Sequence, residues 1–415
     1  MTGEEQLQQK VRLSSVFRPG TPIDKQQLFA GRMEQVNDVL NAALQPGRHV
    51  IMFGERGVGK TSLARVISGI IKNTTGYKLL NCGTINCDTT DNFNSLWRKI
   101  FRELYFVMDS QESGFRVQSP KDVPLESILP NRELSPDDVR YMLTQVKEHT
   151  LIIIDELDRL TDRRSRSELA DTIKNLSDHA VNTTLMLIGV ADAVDELIAE
   201  HQSIDRALVQ VPMQRMSMDE LTAIVDFGLG TVLMATETGV SNWIARLAQG
   251  LPYYAHALGL YSAFKAIEAD RMYVTPDDVI EATKTTVTKS HTLLNTYSIA
   301  TSSPQKQNLF AKVLLGCALA QADEMGYFAA SAVVAPMSSI MGRPYPIPNF
   351  SKHLFELCEP KRGSVLKKVG EPRRIRFRFT DPMMQAFVII HDYSLGRLTN
   401  ELLKHSKART KETTI

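Results

Sequence analysis

The sequence predicts an α/β fold: a parallel sheet sandwiched by helices, then an all-α block, then a unit of helices closed by a β-hairpin. Three observations predict it. Short apolar runs alternate with segments of helical apolar spacing over residues 49–213, strand signals then stop from Ser217 to about residue 300, and two alternating runs flank a Gly-Glu-Pro turn near the C-terminus.

Composition sets the outer limits. Of 415 residues 43% are hydrophobic and 23% charged, ordinary for a globular chain. Forty-eight basic and 47 acidic residues leave a net charge of +1, so any attraction to nucleic acid must come from local patches. No apolar run approaches the roughly 20 residues needed to span a bilayer, and the N-terminus has no apolar stretch behind basic residues; a cytoplasmic protein without a membrane partner is expected. The cysteines Cys82, Cys87, Cys317 and Cys358 are too few and scattered for a disulfide scaffold, and the Cys82–Cys87 spacing does not suit a zinc knuckle.

The elements follow in order. Residues 1–30 are a polar lead-in ending in FRPGTPIDKQQLFAGR, too rich in proline and glycine for a long helix, expected to reach the ligand site described below. Within a core over 31–215, HVIMF, KLLNC, LIIIDEL, TLMLIGV and LVQVPM read as strands, and NFNSLWRKIFREL and SELADTIKNLSDH as helices. Between Asp109 and Pro136 four prolines mark a surface insertion that ends at the helix cap Ser135. The block 216–300 is helical throughout: Ser217 and Glu220 form a capping box, one helix stops at Gly250, and Thr275-Pro276 start another. In 301–395, helical stretches near 304–322 and 349–358 precede the hairpin VLKKVGEPRRIRFRF, which suggests a winged helix. Residues 396–415 read as a polar tail.

The most specific signal is Gly54-Glu55-Arg56-Gly57-Val58-Gly59-Lys60-Thr61-Ser62, a P-loop NTPase pattern between a strand and a helix. Backbone N–H groups of such a loop wrap a β-phosphate, Lys60 reaches the β/γ oxygens, and Thr61 can ligate Mg²⁺. In LIIIDELD, four apolar residues deliver Asp155 to the mouth of the sheet as a second Mg²⁺ ligand, with Glu156 beside it to polarise water. The chain lacks the NKxD that reads guanine, and it lacks the serine-glycine signature of ABC-type ATPases. ATP hydrolysis coupled to conformational change is the expected chemistry.

LFAGRMEQV, GERGVGKTSLA, LIIIDELDRL, TLMLIGVAD and GLPYYAHALG, in this order, make residues about 15 to 290 resemble the AAA+ ATPases. The likeness is to the origin-recognition and Cdc6-like initiators and the neighbouring STAND and transposon target-selection ATPases. It implies that Phe29, Gly31 and Arg32 pack near adenine, with Ile23 a possible neighbour, that Pro252 and Tyr253 lie near the base or ribose, and that Asp192 stands where relatives carry a polar sensor. It also implies a homo-oligomer with nucleotide at subunit interfaces and an arginine acting in trans. Arg206 occupies the region for that finger; the other reading is a surface arginine paired with Asp205 or Glu200. The lid helix after Gly250 lacks the second sensor arginine, which points to slow switching.

Residues 361–378 hold eight lysines or arginines and one acid. Along the hairpin, Arg374, Arg376 and Arg378 alternate with Ile375, Phe377 and Phe379, so one strand face packs while the other presents guanidiniums. With Lys367, Lys368 and Arg373, this face could meet the phosphates of double-stranded DNA; a solvated face or a contact with a partner protein is the alternative. A second cluster, Arg159, Arg163, Arg164 and Arg166, could face DNA at the centre of an assembly or be a solvated helix start beside Asp162 and Glu168.

Overall fold

The computed structural model describes residues 1–22, 32–43, 45–74, 82–108, 121–146, 149–190, 204–303, 309–323, 325–371 and 374–405. Five strands form one parallel sheet: β1 (His49–Gly54), β2 (Cys82–Asn86), β5 (Thr150–Asp155), β6 (Thr183–Gly189) and β7 (Leu208–Met213), in the order β2-β5-β6-β1-β7. Every residue of β5 and β6 is buried, which explains why both read as continuous apolar runs rather than alternating ones. The registers Ile51 with Leu187 and Ile153 with Met186 hold β6 between β1 and β5. Helix α2 (Met33–Ala43) and α3 (Lys60–Thr74) contribute to one core layer, in which Val39, Leu63 and Ile67 are buried. On the other side, α4 (Phe93–Glu103), α5 (Pro136–Thr144) and α6 (Arg163–Asp178) pack around Trp97, Phe101 and Ile173. Each such fully buried large side chain contributes ~1.5–3 kcal/mol relative to exposure.

Several expectations need correction. The lead-in is not devoid of regular structure: α1 (Gly3–Val16) is a 14-residue helix started by a Thr2–Glu5 capping box, because the prolines and glycine that discourage a helix fall only after Phe17. Phe17 is buried, and methyl groups placed at Gly228 or Gly259 would collide with its ring. The proline-rich insertion contains β4 (Lys121–Pro124), which pairs antiparallel with β3 (Tyr105–Met108) just before it; the Ser135 cap is present as expected.

The block after β7 holds α7 (Met218–Gly230), α8 (Val240–Ala248), α9 (Pro252–Glu268) and α10 (Pro276–Lys289), and α7 starts at the expected Ser217–Glu220 box. It is not purely helical: β8 (Ala235–Thr236) and β9 (Tyr273–Val274) form a two-residue parallel pair too short for a periodic signal. Then come α11 (His291–Thr301), α12 (Leu309–Leu319), β10 (Phe328–Ala329), α13 (Val334–Met341), α14 (Ser351–Glu356), β11 (Leu366–Val369), β12 (Arg376–Phe379) and α15 (Pro382–Ser394). The three strands form an antiparallel sheet in the order β10-β12-β11. Phe377 and Phe379 are buried while Arg376 is exposed, so the hairpin alternates as its sequence predicts. A final helix, α16 (Asn400–His405), follows; with Leu398 and Leu403 buried, the start of the expected polar tail is packed structure.

Candidate functional site

A cavity of roughly 660 Å³ opens where the loop after β1 faces the start of α9. Its lining includes Arg56, Gly57, Val58, Gly59, Lys60 and Thr61. Asp155 from the end of β5 and Glu156 just after it line the cavity, as do Pro252 and Tyr253 from the lid. Gly54, Glu55 and Arg56 also border a second, smaller cavity of about 480 Å³ against the C-terminal sheet.

The electrostatics of the loop are those of an anion site. Lys60 Nζ donates to the carbonyl oxygens of Gly54 and Glu55, both at 2.9 Å. Burial lowers its pKa to about 8, against the opposing pull of Asp155, Asp158 and Glu55, so the ammonium is short of compensating negative charge. Thr61 donates its hydroxyl to Asp155 Oδ2 at 2.6 Å, and the Glu156 N–H donates to Asp155 Oδ1 at 2.8 Å. A hydroxyl and a buried carboxylate converging beside a phosphate loop are hard oxygen donors that fit Mg²⁺. Ser62 continues the loop into α3 and also borders the cavity.

Glu156 has φ 56°, a left-handed conformation that is costly for a residue with a side chain. Its carboxylate pairs with Arg159 at 2.9 Å, both side chains about half exposed. This places Arg159 at the nucleotide cavity and gives it a carboxylate partner, while Arg164 pairs with Glu168 at 2.9 Å as the solvated reading of that cluster anticipates.

Arg32 is buried and lines the cavity, donating to the Gln214 carbonyl oxygen at 2.6 Å; burial lowers its pKa. Phe29, Gly31, Ile23, Asp192 and Arg373 lie outside the described residues. Arg206 is 80% exposed, does not line the cavity, and pairs with Asp178 at 3.6 Å rather than with Asp205, which bonds Gln210.

Two site residues escaped the sequence reading. Arg215 is almost fully buried and pairs with Glu55, while its second nitrogen donates to the Gln249 carbonyl oxygen at 2.9 Å. One guanidinium thus ties the phosphate loop to the lid entry, where the Met216 N–H also donates to the Gly250 carbonyl oxygen at 2.9 Å. Gly250 has φ 80°, and a side chain there would run into Arg215. Met383, at the start of α15, packs so closely on Gly57 that an added Cβ would lie 2.6 Å from its sulfur, and Asp381 and Met383 line the cavity. No local pattern marks either contact, since the partners are far apart in the chain.

On the hairpin, the cationic side chains are partly engaged within their own unit. Arg376 pairs with Asp323 at 2.7 Å, and both Arg376 and Arg378 lie over the Tyr327 ring, at 5.1 and 4.7 Å. Lys368 sits 5.2 Å from the Phe355 ring centre. Lys367 is half-buried on β11 and Arg374 is exposed in the turn. Among the described residues no group of His, Cys, Asp or Glu forms a metal cluster, and no helix is long and apolar enough to cross a membrane.

Residues 50–215 match the sequence profile of the family described as "ATPase family associated with various cellular activities (AAA)". The zinc import ATP-binding protein ZnuC of Wolbachia sp. subsp. Brugia malayi is 27% identical over 164 residues, spanning 37% of this chain and 67% of its own length. Among solved structures, the Walker-type ATPase PABY2304 of Pyrococcus abyssi shares 15% identity over 90% of this chain and 99% of its own, with a TM-score of 0.51. Cdc6p from Pyrobaculum aerophilum (16%, 93% and 99%, TM-score 0.47) and the Aeropyrum pernix ORC1 protein in complex with DNA (15%, 92% and 97%, TM-score 0.49) are also similar. The fold is therefore that of an AAA+ P-loop NTPase, as the motif order predicts.

Proposed function

We propose that the chain is an ATP-hydrolysing switch that oligomerises through ATP and acts on or near double-stranded DNA through its basic hairpin. The observation that carries this reading is the meeting of Lys60, Thr61, Asp155 and Glu156 at one cavity between the sheet and the lid.

Near neutral pH, Lys60 is mostly protonated and exchanges its two carbonyl partners for β- and γ-phosphate oxygens. Thr61 and Asp155 are the side chains that would hold Mg²⁺, which when bound supplies charge neutralisation on the phosphates. Glu156 orients the attacking water and holds its proton once its carboxylate leaves Arg159. Pro252 and Tyr253 close over the ribose or base. Arg206, exposed and paired with Asp178 at 3.6 Å among the described residues, reaches the γ-phosphate of a neighbouring copy. Lys367, Lys368, Arg374, Arg376 and Arg378, with Arg373, supply the phosphate contacts to DNA.

A second reading is supported by Met383 on Gly57: a STAND-like signalling or defence switch in which the C-terminal unit rests on the nucleotide site until a partner protein lifts it. The Tyr254 hydroxyl donates to the Met383 carbonyl oxygen at 3.0 Å, fastening that contact to the lid.

One experiment separates the two. Glu156→Gln is purified with Mg-ATP, with and without duplex DNA, and particle mass is measured beside hydrolysis, with Lys60→Ala as the non-binding control. The first reading expects loss of turnover, retained ATP and a DNA-dependent oligomer. A persistent monomer carrying tightly held ADP selects the second, and wild-type turnover in Glu156→Gln removes the catalytic assignment altogether.

A further inference from the structure

His256 is a buried titratable group of the cavity that this chemistry leaves unused. It sits on α9 one turn beyond Pro252 and is one of the residues lining the cavity, although only 5% exposed. Neither ring nitrogen has a hydrogen-bond partner among the described residues. Phe17 meets the ring edge-on, with centroids 5.9 Å apart and an interplanar angle of 75°. Burial lowers the imidazole pKa to about 4, so near neutral pH it is uncharged, with one N–H donor and one lone pair.

Its depth along the cavity identifies what it would meet. Pro252 lies close to the phosphate loop, since a Cβ added at Gly59 would be 3.8 Å from its Cγ. One helical turn is ~5.4 Å, so His256 lies about a ribose length along α9 from Pro252. The cavity lining includes the apolar side chains of Pro22, Met216 and Ile224. An apolar slot with a few convergent polar atoms is the form of a site for a flat heteroaromatic ring. Leaving both nitrogens unpaired carries a desolvation penalty that a hydrogen-bonding base edge would relieve.

We infer that His256 is a base-recognition residue, hydrogen-bonding the edge of the adenine ring by accepting from its 6-amino group or donating to its N1. This deepens the ATP-switch reading and rests on it. The lid therefore reads the base through a histidine on the same helix that brings Pro252 and Tyr253 over the ribose.

The test compares the binding of Mg-ATP, its 6-deamino analogue (purine riboside triphosphate), its 1-deaza analogue and Mg-tripolyphosphate to the full chain and to His256→Phe, which keeps the ring volume and removes both nitrogens. The wild-type chain is expected to prefer ATP to at least one analogue by about tenfold or more. His256→Phe should lose that preference, bind tripolyphosphate as before, and melt at the same temperature or higher without nucleotide. His256→Asn, which restores a donor and an acceptor, should recover part of the preference. Equal wild-type affinity for ATP and both analogues, or a preference that survives in His256→Phe, overturns the inference. Failure of the wild-type chain to bind either tripolyphosphate or ATP overturns the nucleotide-site reading instead.

Discussion

The phosphate loop and the C-terminal hairpin are the two places where the chain concentrates basic chemistry, and they hold it differently. Lys60 is half-buried and the Arg215 side chain almost fully buried, and their partners come from the loop itself and from the lid entry. Arg376, Arg378 and Lys368 lie at or near the surface, over aromatic rings of their own unit. Depth, more than residue type, sets what each cation is worth. A buried guanidinium cannot lose its partner without stranding a charge, whereas an exposed one has water to fall back on.

The largest test of this contrast is a pair of substitutions. Arg215→Ala takes the Arg215 guanidinium away from the largely enclosed Glu55 carboxylate and should cost about 3–5 kcal/mol in urea denaturation. Arg376→Ala removes an ion pair of similar length from a half-exposed site and should cost under about 1 kcal/mol. Equal losses would break the comparison.

A smaller effect should appear in the pH dependence of nucleotide affinity. Lys60 has its pKa lowered to about 8 in the free chain, and bound phosphate, favouring the ammonium, raises it. ATP affinity should therefore be full below pH 8 and fall as pH rises above it, by up to tenfold per unit, with a proton taken up on binding in that range. Calorimetry at pH 9 in buffers of different ionisation enthalpy reads the proton directly. Affinity that stays flat between pH 7 and 9.5 would show that Lys60 is not the phosphate-facing cation.

The smallest effect concerns the hairpin. Replacing Lys367 and Lys368 with glutamine should weaken duplex DNA binding and reduce the log–log salt slope by at most about 2, one per lost phosphate contact. Because Arg376 already has Asp323 as a partner, its removal should change the slope less than theirs. An unaltered slope in the lysine double variant would assign the hairpin to protein contacts.

What was legible in the sequence was whatever is local. GERGVGKTS and LIIID each carry their strand, turn and chemistry within ten residues, so the loop, Asp155 and the parallel sheet could be placed before any coordinates. The hairpin was legible for the same reason: its period of two puts Phe377 and Phe379 inside and Arg376 outside. Arg215 and Met383 were not, because what fixes their roles is a meeting with Glu55 and with Gly57 from distant parts of the chain. Helix α1 was missed for another reason. The proline and glycine after Phe17 argue against a helix only beyond that point, while the Thr2–Glu5 box starts one at the very N-terminus.

Phe17 has a further consequence. Its ring occupies a slot that exists only because α7 and α9 each present a glycine, Gly228 and Gly259, at the same point. In a lineage accumulating substitutions, none of the three positions could change alone: a methyl on either glycine evicts the ring, and a small residue at 17 leaves a void between two helices. These three sites should drift together or stay fixed, a coupling that a set of related sequences would expose without any structure at all.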